Sequence, residues 1–144
     1  MTNNINLTHE FVEYIPNDMK DGTIYVSMVF ATAAHKCCCG CGHEVITPFS
    51  PTDWKLIYDG QSITLNPSIG NWSFACQSHY LIIQNRVRWA QQMSLEEINA
   101  GRVNDSLRKD RYFNKAQSKI ICNTETAVNN QTKGIWKRLK SWLL

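Results

Sequence analysis

The chain has 144 residues, of which 43% are hydrophobic, and it carries 15 Lys and Arg against 12 Asp and Glu. This length suits one folded domain with its own core, and the hydrophobic content excludes a wholly disordered chain. The sequence has no run of about 18 apolar residues, which excludes a membrane-spanning helix. Residues 1–6 also lack a basic start followed by an apolar stretch, so we expect a cytoplasmic protein with reduced thiols.

The charge is distributed unevenly along the chain. Residues 1–100 contain five Lys and Arg against nine Asp and Glu, whereas residues 101–144 contain ten against three. A basic tail is typical of a solvated flank, and it can also favour an anionic partner. Small zinc domains with basic tails often bind nucleic acid, but the acidic body disfavours that function here.

Residues 1–90 predict short β-strands separated by turns. The segments with a strand pattern are 23–30, 43–47, 54–58, 62–65, 80–83 and 87–89. Asp59-Gly60 favours a tight hairpin turn between two of these segments, because both positions of such a turn must tolerate positive φ. Residues 84–86 predict a second hairpin. Trp54, Trp72 and Trp89 are expected in the core of the sheet, although an exposed one could grip an extended peptide.

The pattern changes after residue 89. Ser94 followed by Glu97 forms a capping box and predicts the start of a helix, which Gly101 weakens. Residues 115–133 are polar and predict a loose segment, and residues 135–144 predict a short amphipathic helix with a basic face. The predicted fold is α+β, with a small zinc-bound antiparallel sheet domain over residues 1–92 and a basic extension with C-terminal helices over residues 93–144.

Four of the six cysteines lie within residues 37–41, too close together for disulfides with one another. In a reducing compartment, clustered cysteines are interpreted first as metal ligands. Zinc takes four ligands in a tetrahedron, and Gly40 and Gly42 supply the backbone freedom that a tight turn of ligands needs. Cys76 and His79 offer a second pair of ligands. The intervening hairpin would bring this pair close to the cysteines of residues 37–41. We therefore predict one bound zinc ion.

The candidates outnumber the four places around a zinc ion. Our preferred ligands are Cys39, Cys41, Cys76 and His79. Cys37 could replace one of them, His35 is close enough to compete, and Cys38 is the expected bystander. The alternative interpretation is that the thiols are free and pack as small apolar groups. Thiolate-rich sites are typically structural, and the sequence has no His-Glu-x-x-His helix of a standard metalloprotease.

Several segments taken together resemble one bacterial family. They are residues 9–16 (His-Glu-Phe-Val-Glu-Tyr-Ile-Pro), 37–42 (Cys-Cys-Cys-Gly-Cys-Gly), 50–54 (Ser-Pro-Thr-Asp-Trp), 67–72 (Pro-Ser-Ile-Gly-Asn-Trp) and 76–80 (Cys-Gln-Ser-His-Tyr). The family is a bacterial domain found beside genes for ubiquitin-like conjugation, and the resemblance covers about residues 8–90. It implies a peptidase that processes or removes a ubiquitin-like modifier, with that modifier or the conjugation enzymes as partners and phage defence as a setting.

Two peptidase chemistries are compatible with these motif residues. A serine route uses Ser68 or Ser78 as nucleophile, His79 as base and Asp53 to orient the base. A metal route uses a zinc-bound water, with Asp53 or Glu44 as base. If His79 instead ligates zinc, the serine route needs another histidine, and the candidates are His35 and His43. Each serine and aspartate also fits a turn or a cap.

A non-catalytic function competes with the peptidase interpretation. In it, zinc only stabilises the fold, and the surface recruits a component of the conjugation pathway. Cleavage of the modifier precursor separates the two hypotheses.

Overall fold

The computed structural model describes residues 5–140, and the side chains of residues 5–120. The chain divides into two compact units, Met1–Ala100 and Gly101–Leu144. Eight strands precede one helix in the described residues, so the fold is α+β, as the sequence predicts. The domain boundary after residue 92 stays a prediction.

The first sheet has four strands in the order β1-β2-β3-β4. Their bounds are Thr8–Phe11, Thr23–Ser27, Thr32–Lys36 and Glu44–Pro48. β1 pairs with β2 in parallel, and the other two pairs are antiparallel. β2 is buried on both faces, whereas β4 alternates between buried and exposed residues. Because β4 is the last strand in this order, it forms an edge of the sheet and pairs with β3.

The second sheet is an antiparallel meander in the order β5-β6-β7-β8. Its strands are Lys55–Tyr58, Ile63–Gly70, His79–Ile83 and Arg86–Trp89. Both predicted hairpins are confirmed, but the first has a four-residue connection rather than a two-residue turn. Asp59 accepts hydrogen bonds from the backbone of Gln61 and Ser62, and only Gly60 in this connection takes positive φ, at 94°. The register of β6 against β7 shifts between Leu65 and Ile69.

Two isolated bridges connect the sheets at their edges. Asn6 pairs with Arg86, and Phe49 pairs with Trp54. The main core lies between the sheets, and its fully buried members include Ile24, Val26, Ile63, Leu65, Ile69, Tyr80 and Ile82. The prediction that three tryptophans fill this core is wrong for Trp89, which is 38% exposed, because its strand turns that side chain outward.

Two strands of the first sheet were not predicted, and one is shorter than expected. β1 has little apolar content, and β3 contains two alanines, which have weak strand preference. β2 ends at Ser27 rather than at residue 30, because residues 28–31 form the turn into β3. The backbone N–H of Ala31 donates to the carbonyl of Met28, and Ala31 takes a φ of 47°.

The helix α1 spans Leu95–Lys140. The predicted capping box is confirmed, since the Ser94 and Glu97 side chains accept hydrogen bonds from each other's backbone N–H groups. The prediction of a loose segment over residues 115–133 is wrong, because Asn, Thr and Gln disfavour a helix only weakly and no proline interrupts the stretch. The predicted amphipathic face of residues 135–144 and the side chain of Cys122 lie outside the described residues. No helix within residues 5–140 has the length and apolar character needed to cross a membrane.

Candidate active site and metal centre

Four cysteine sulfurs converge at one end of the β-rich unit. The sulfurs of Cys37, Cys39, Cys41 and Cys76 all lie within 4.8 Å of one another. Neighbouring sulfurs are 3.4 Å apart for Cys37 and Cys39, 3.7 Å for Cys41 and Cys76, and 4.0 Å for Cys37 and Cys76. A tetrahedral zinc with Zn–S bonds of about 2.3 Å requires sulfurs roughly 3.8 Å apart. The donor set therefore fits one zinc ion.

The local sequence explains why three of the sulfurs point the same way. Cys37 directly follows β3, and its carbonyl accepts a hydrogen bond from the N–H of Gly40 at 3.0 Å. Gly40 and Gly42 take φ values of 84° and 82°, a region that favours glycine. The chain thus reverses tightly between β3 and β4, and Cys76 arrives from the loop before β7.

Polar side chains hydrogen-bond to the sulfurs from outside the cluster. The Ser78 hydroxyl lies 3.1 Å from the Cys37 sulfur and 3.5 Å from that of Cys76. The Asn71 side-chain amide lies 3.6 Å from the Cys37 sulfur, and His43 Nδ1 lies 3.3 Å from that of Cys41. Such donors stabilise thiolates and orient metal ligands.

Ionisation of the thiols follows these contacts. Burial opposes ionisation of Cys76, but hydrogen bonds, chiefly from Ser78, outweigh it and lower the pKa of this thiol to about 7. Cys38 lies outside the four-sulfur group, and burial raises its pKa to about 12. Burial also raises the pKa of Cys39 to about 12, so of these three thiols Cys76 is the one poised to ionise.

The structure places His79 in a second constellation on the outer face of the second sheet. Its Nε2 lies 3.0 Å from the Ser68 hydroxyl, and its Nδ1 lies 2.8 Å from the backbone carbonyl oxygen of Gln91. A carbonyl only accepts, so Nδ1 carries the proton and Nε2 is free to accept from the Ser68 hydroxyl. This is the arrangement of a nucleophile, a base and a group that orients the base.

The strand pairing explains why the serine and histidine meet. Gly70 pairs with His79 in the β6–β7 ladder, and Ser68 lies two residues earlier on the same face of β6. The indole of Trp72 packs against His79, with ring centroids 5.0 Å apart. It also covers Gly70 so closely that a Cβ at this position would clash with the indole. Glycine is thus required for the indole to rest beside the histidine.

The other candidate catalytic residues lie elsewhere. The Asp53 carboxylate accepts a hydrogen bond from the Ser50 hydroxyl at 2.6 Å, within the turn before β5. Ser78 contacts the cysteine sulfurs, and Glu44 is exposed on β4. Gln91 was not predicted, because it acts through a backbone carbonyl, for which a sequence carries no residue-specific signal.

His35 is buried and lies outside the four-sulfur group. It is 1% exposed, its Nε2 lies 2.9 Å from the Tyr80 hydroxyl, and burial lowers its pKa to about 4. The side-chain amide of Asn71 donates to the hydroxyls of Tyr80 at 3.4 Å and Ser78 at 2.9 Å. These contacts form a buried polar network that runs from His35 to the cysteine cluster.

Comparison with known proteins identifies the family of this chain. A family model described as BubE, bacterial ubiquitination-like system serine protease, matches residues 11–90, more than half of the chain. No curated protein and no solved structure matches the chain. The matched residues include Ser68, His79 and the four clustered cysteines. The chain therefore belongs to the BubE family of bacterial ubiquitination-like system serine proteases.

Proposed function

We propose that the protein is a serine protease in which Ser68 is the nucleophile and His79 the general base. The observation that carries this proposal is the pair of hydrogen bonds on the His79 ring, one to the Ser68 hydroxyl at 3.0 Å and one to the Gln91 carbonyl at 2.8 Å. Together they fix the ring orientation and the tautomer that base catalysis requires. The serine protease description of the family supports the same assignment.

In the acylation step, the Ser68 hydroxyl oxygen attacks the scissile carbonyl carbon while His79 Nε2 takes the hydroxyl proton. The resulting tetrahedral intermediate collapses when the carbon–nitrogen bond breaks, and His79 returns the proton to the leaving amine. The acyl group is then an ester on Ser68. In the second step His79 takes a proton from water, the hydroxide attacks the ester, and Ser68 regains its proton as the acid product leaves.

The backbone carbonyl of Gln91 takes the orienting position that a carboxylate holds in the Ser-His-Asp arrangement. It accepts the Nδ1 proton and holds the ring, but it carries only a partial negative charge. It therefore stabilises the protonated ring of His79 less than a carboxylate would. We expect a catalyst whose base is held in position by an uncharged group.

We further propose that Cys37, Cys39, Cys41 and Cys76 hold a structural zinc ion. Four thiolates complete a tetrahedron and leave no position for a reactive water. The assignment also leaves His79 free to act as a base. Zn²⁺ would offset two of the four thiolate charges and cross-link the turn after β3 to the loop before β7. In this proposal the metal stabilises the fold and does not react.

The substrate we propose is a ubiquitin-like modifier of the bacterial conjugation system, cleaved from a precursor or from a conjugated protein. This assignment draws on the family description, which places such proteases in a ubiquitination-like system. The competing function is a zinc-stabilised module that binds a conjugation component without cleaving it. The Ser68 and His79 hydrogen bonds favour the protease, since a binding module has no need of them.

Replacing the nucleophile tests the catalytic assignment. We expect the wild type to react with a fluorophosphonate probe at Ser68, to hydrolyse p-nitrophenyl acetate, and to cleave a ubiquitin-like precursor in an intact-mass assay. Ser68→Ala should lose these reactions, with kcat falling roughly 10⁴- to 10⁶-fold. Ser106→Ala, an exposed serine in α1, is the matched control and should behave as wild type. Equal probe labelling of Ser68→Ala and wild type would refute the assignment.

The metal assignment has its own test. We expect about one zinc per chain by mass spectrometry of metals, and its loss in Cys76→Ser with a large fall in Tm. Cys38→Ser is the control, because Cys38 lies outside the four-sulfur group, and it should keep its zinc. Full zinc content in Cys76→Ser would contradict the proposed ligand set.

A further inference from the structure

A groove lies along the edge strand β4 and the end of β6. It has a volume of about 200 Å³. Its lining includes Glu44, Val45, Ile46, Trp54, Trp72 and Phe74. Ile46 is 63% exposed although it is a large apolar residue in a strand. The groove is therefore bounded by apolar side chains and by the backbone of an edge strand.

The ladder between β3 and β4 determines which backbone groups face this groove. The N–H of Cys37 donates to the carbonyl of His43, and the N–H of Phe49 donates to the carbonyl of Ala31. Both bonds belong to the pairing register of β3 with β4. Hydrogen-bonded pairs alternate with non-bonded pairs in an antiparallel ladder, so Val45 and Thr47 bond to β3. The N–H and carbonyl groups of the residues between them point away from β3.

Those outward groups belong to Glu44 and Ile46. They amount to two donors and two acceptors along the open side of β4, a row that an extended peptide can pair with. The row ends at Pro48, which has no N–H and whose carbonyl already accepts from Trp54 at 3.1 Å. A bound segment of about three residues would use all four groups.

The groove is continuous with the catalytic pair through Trp72 and β6. The Trp72 indole lines the groove and also packs against the His79 ring, 5.0 Å away between centroids. Ile69 and Gly70, which directly follow Ser68 on β6, are lining residues too. A peptide seated on the β4 edge and leaving the groove beside Trp72 would pass the indole that packs against the His79 ring.

We propose that the β4 edge binds the substrate as an added strand, with an extended peptide segment next to the scissile bond paired to Glu44 and Ile46. This inference rests on the proposed protease function and describes how the substrate binds at that site. The exposed Glu44 carboxylate has no ion pair among the described residues, so the segment carries a basic side chain there. Trp54 and Trp72 flank the peptide and select for extended backbone.

The first test compares a peptide with a small ester. The probes are a library of fluorogenic tetrapeptide amides and p-nitrophenyl acetate, which needs only the serine and histidine. Ile46→Pro removes one outward N–H that the fold does not use. We expect the ratio of peptide to ester kcat/KM to fall roughly 3- to 10-fold. Ile46→Val keeps the N–H and should show a smaller fall. Equal ratios in the two variants would overturn strand addition.

A second measurement does not depend on whether the proline variant folds. In Ser68→Ala, addition of the best-cleaved tetrapeptide should slow amide hydrogen exchange at Glu44 and Ile46. Val45 and Thr47 already bond to β3 and should change little, which gives an alternating pattern. A uniform change along β4, or none at saturation, would overturn the inference. The inference would also be overturned if the wild type hydrolyses the ester through Ser68 but cleaves no tetrapeptide. Ester hydrolysis that does not depend on Ser68 would instead refute the proposed protease function itself.

The charge preference is tested with peptides that differ at one position. We expect wild type to cleave a Lys-bearing tetrapeptide several-fold faster than its Glu-bearing counterpart, and the preference to weaken at high salt. Glu44→Lys should reverse the order. If Glu44→Lys still cleaves the Lys-bearing peptide faster, Glu44 does not face the peptide, and that part of the proposal is overturned.

Discussion

The stability of the β-rich unit in mild acid should depend on His35. Its ring is 1% exposed, its Nε2 bonds the Tyr80 hydroxyl, and its Nδ1 has no hydrogen-bond partner among the described residues. Burial therefore lowers the pKa of His35 from its ordinary value of 6.5 to about 4. Protonation of the folded protein places a charge in the core, whereas in the unfolded chain water solvates the charged ring.

The direction follows from which state binds more protons. Between pH 6.5 and pH 4 the unfolded chain protonates His35 and the folded chain does not, so the free energy of unfolding falls as the pH falls. The full contribution is present above pH 6.5. With 1.36 kcal/mol per pH unit, the loss is about 2 kcal/mol at pH 5 and approaches ~3 kcal/mol near pH 4. Asp59, whose pKa is lowered to about 2 by hydrogen bonds from Gln61 and Ser62, titrates below this window.

Urea unfolding at pH 7.5, 6.0 and 5.0 measures the effect. The comparison is His35→Gln, which keeps a polar side chain near Tyr80 but does not titrate. The wild type should lose about 2 kcal/mol over this range relative to the variant, with zinc content measured at each pH because acid also protonates thiolates. Parallel loss of stability in wild type and variant would show that other groups cause the acid response.

Two further substitutions probe the packing around the site. Gly70→Ala should push the Trp72 indole away from His79, since a Cβ there clashes with the ring, and kcat for p-nitrophenyl acetate should fall on the order of tenfold with a smaller change in Tm; unchanged kinetics would contradict the packing argument. Tyr80→Phe should leave His35 Nε2 without its partner at a cost of about 1–3 kcal/mol, which calorimetry would detect as a Tm lowered by roughly 5–20 °C. An unchanged Tm would mean that His35 finds another partner.

Local sequence signals predict the elements whose conformation depends on local chemistry. The Asp59-Gly60 dipeptide predicts the hairpin because glycine accepts positive φ, although Asp59 instead accepts backbone hydrogen bonds within a four-residue connection. The capping box is predicted because Ser94 and Glu97 satisfy each other's backbone groups. β3 was missed because Ala33 and Ala34 have little strand preference of their own. They are buried between β2 and β4, so tertiary packing, which the local pattern does not contain, decides their conformation.

The candidate site divides in the same way. The density of cysteines predicted a metal-binding cluster, and the structure brings four of them together. Which residue fills the fourth place depends on tertiary distance. Cys37 joins the group, whereas the ring of His79 bonds Ser68 and Gln91 instead. His79 lies three positions after Cys76, and this spacing alone cannot tell whether the histidine is a further ligand or a base.

The close spacing of the metal site and the catalytic pair has a physical consequence. The loop between β6 and β7 runs from Asn71 to Ser78, and these two residues bond each other twice, backbone to backbone and side chain to side chain, at 2.9 Å each. The next pair along the ladder is Gly70 with His79. The polar link to the Cys37 sulfur thus lies one residue from His79.

A serine and a histidine function only if their separation is held within about 0.5 Å. Small sheet units have little core with which to hold a strand end that tightly, because much of their surface stays exposed to water. In zinc-finger peptides at pH 7, a structural zinc contributes about 10–16 kcal/mol of binding free energy, comparable to the whole stability of a typical domain. The proposed zinc would stabilise the β6–β7 loop where a small apolar core cannot. A chemically inert ion could therefore fix the geometry of the reaction through the adjoining strand pair.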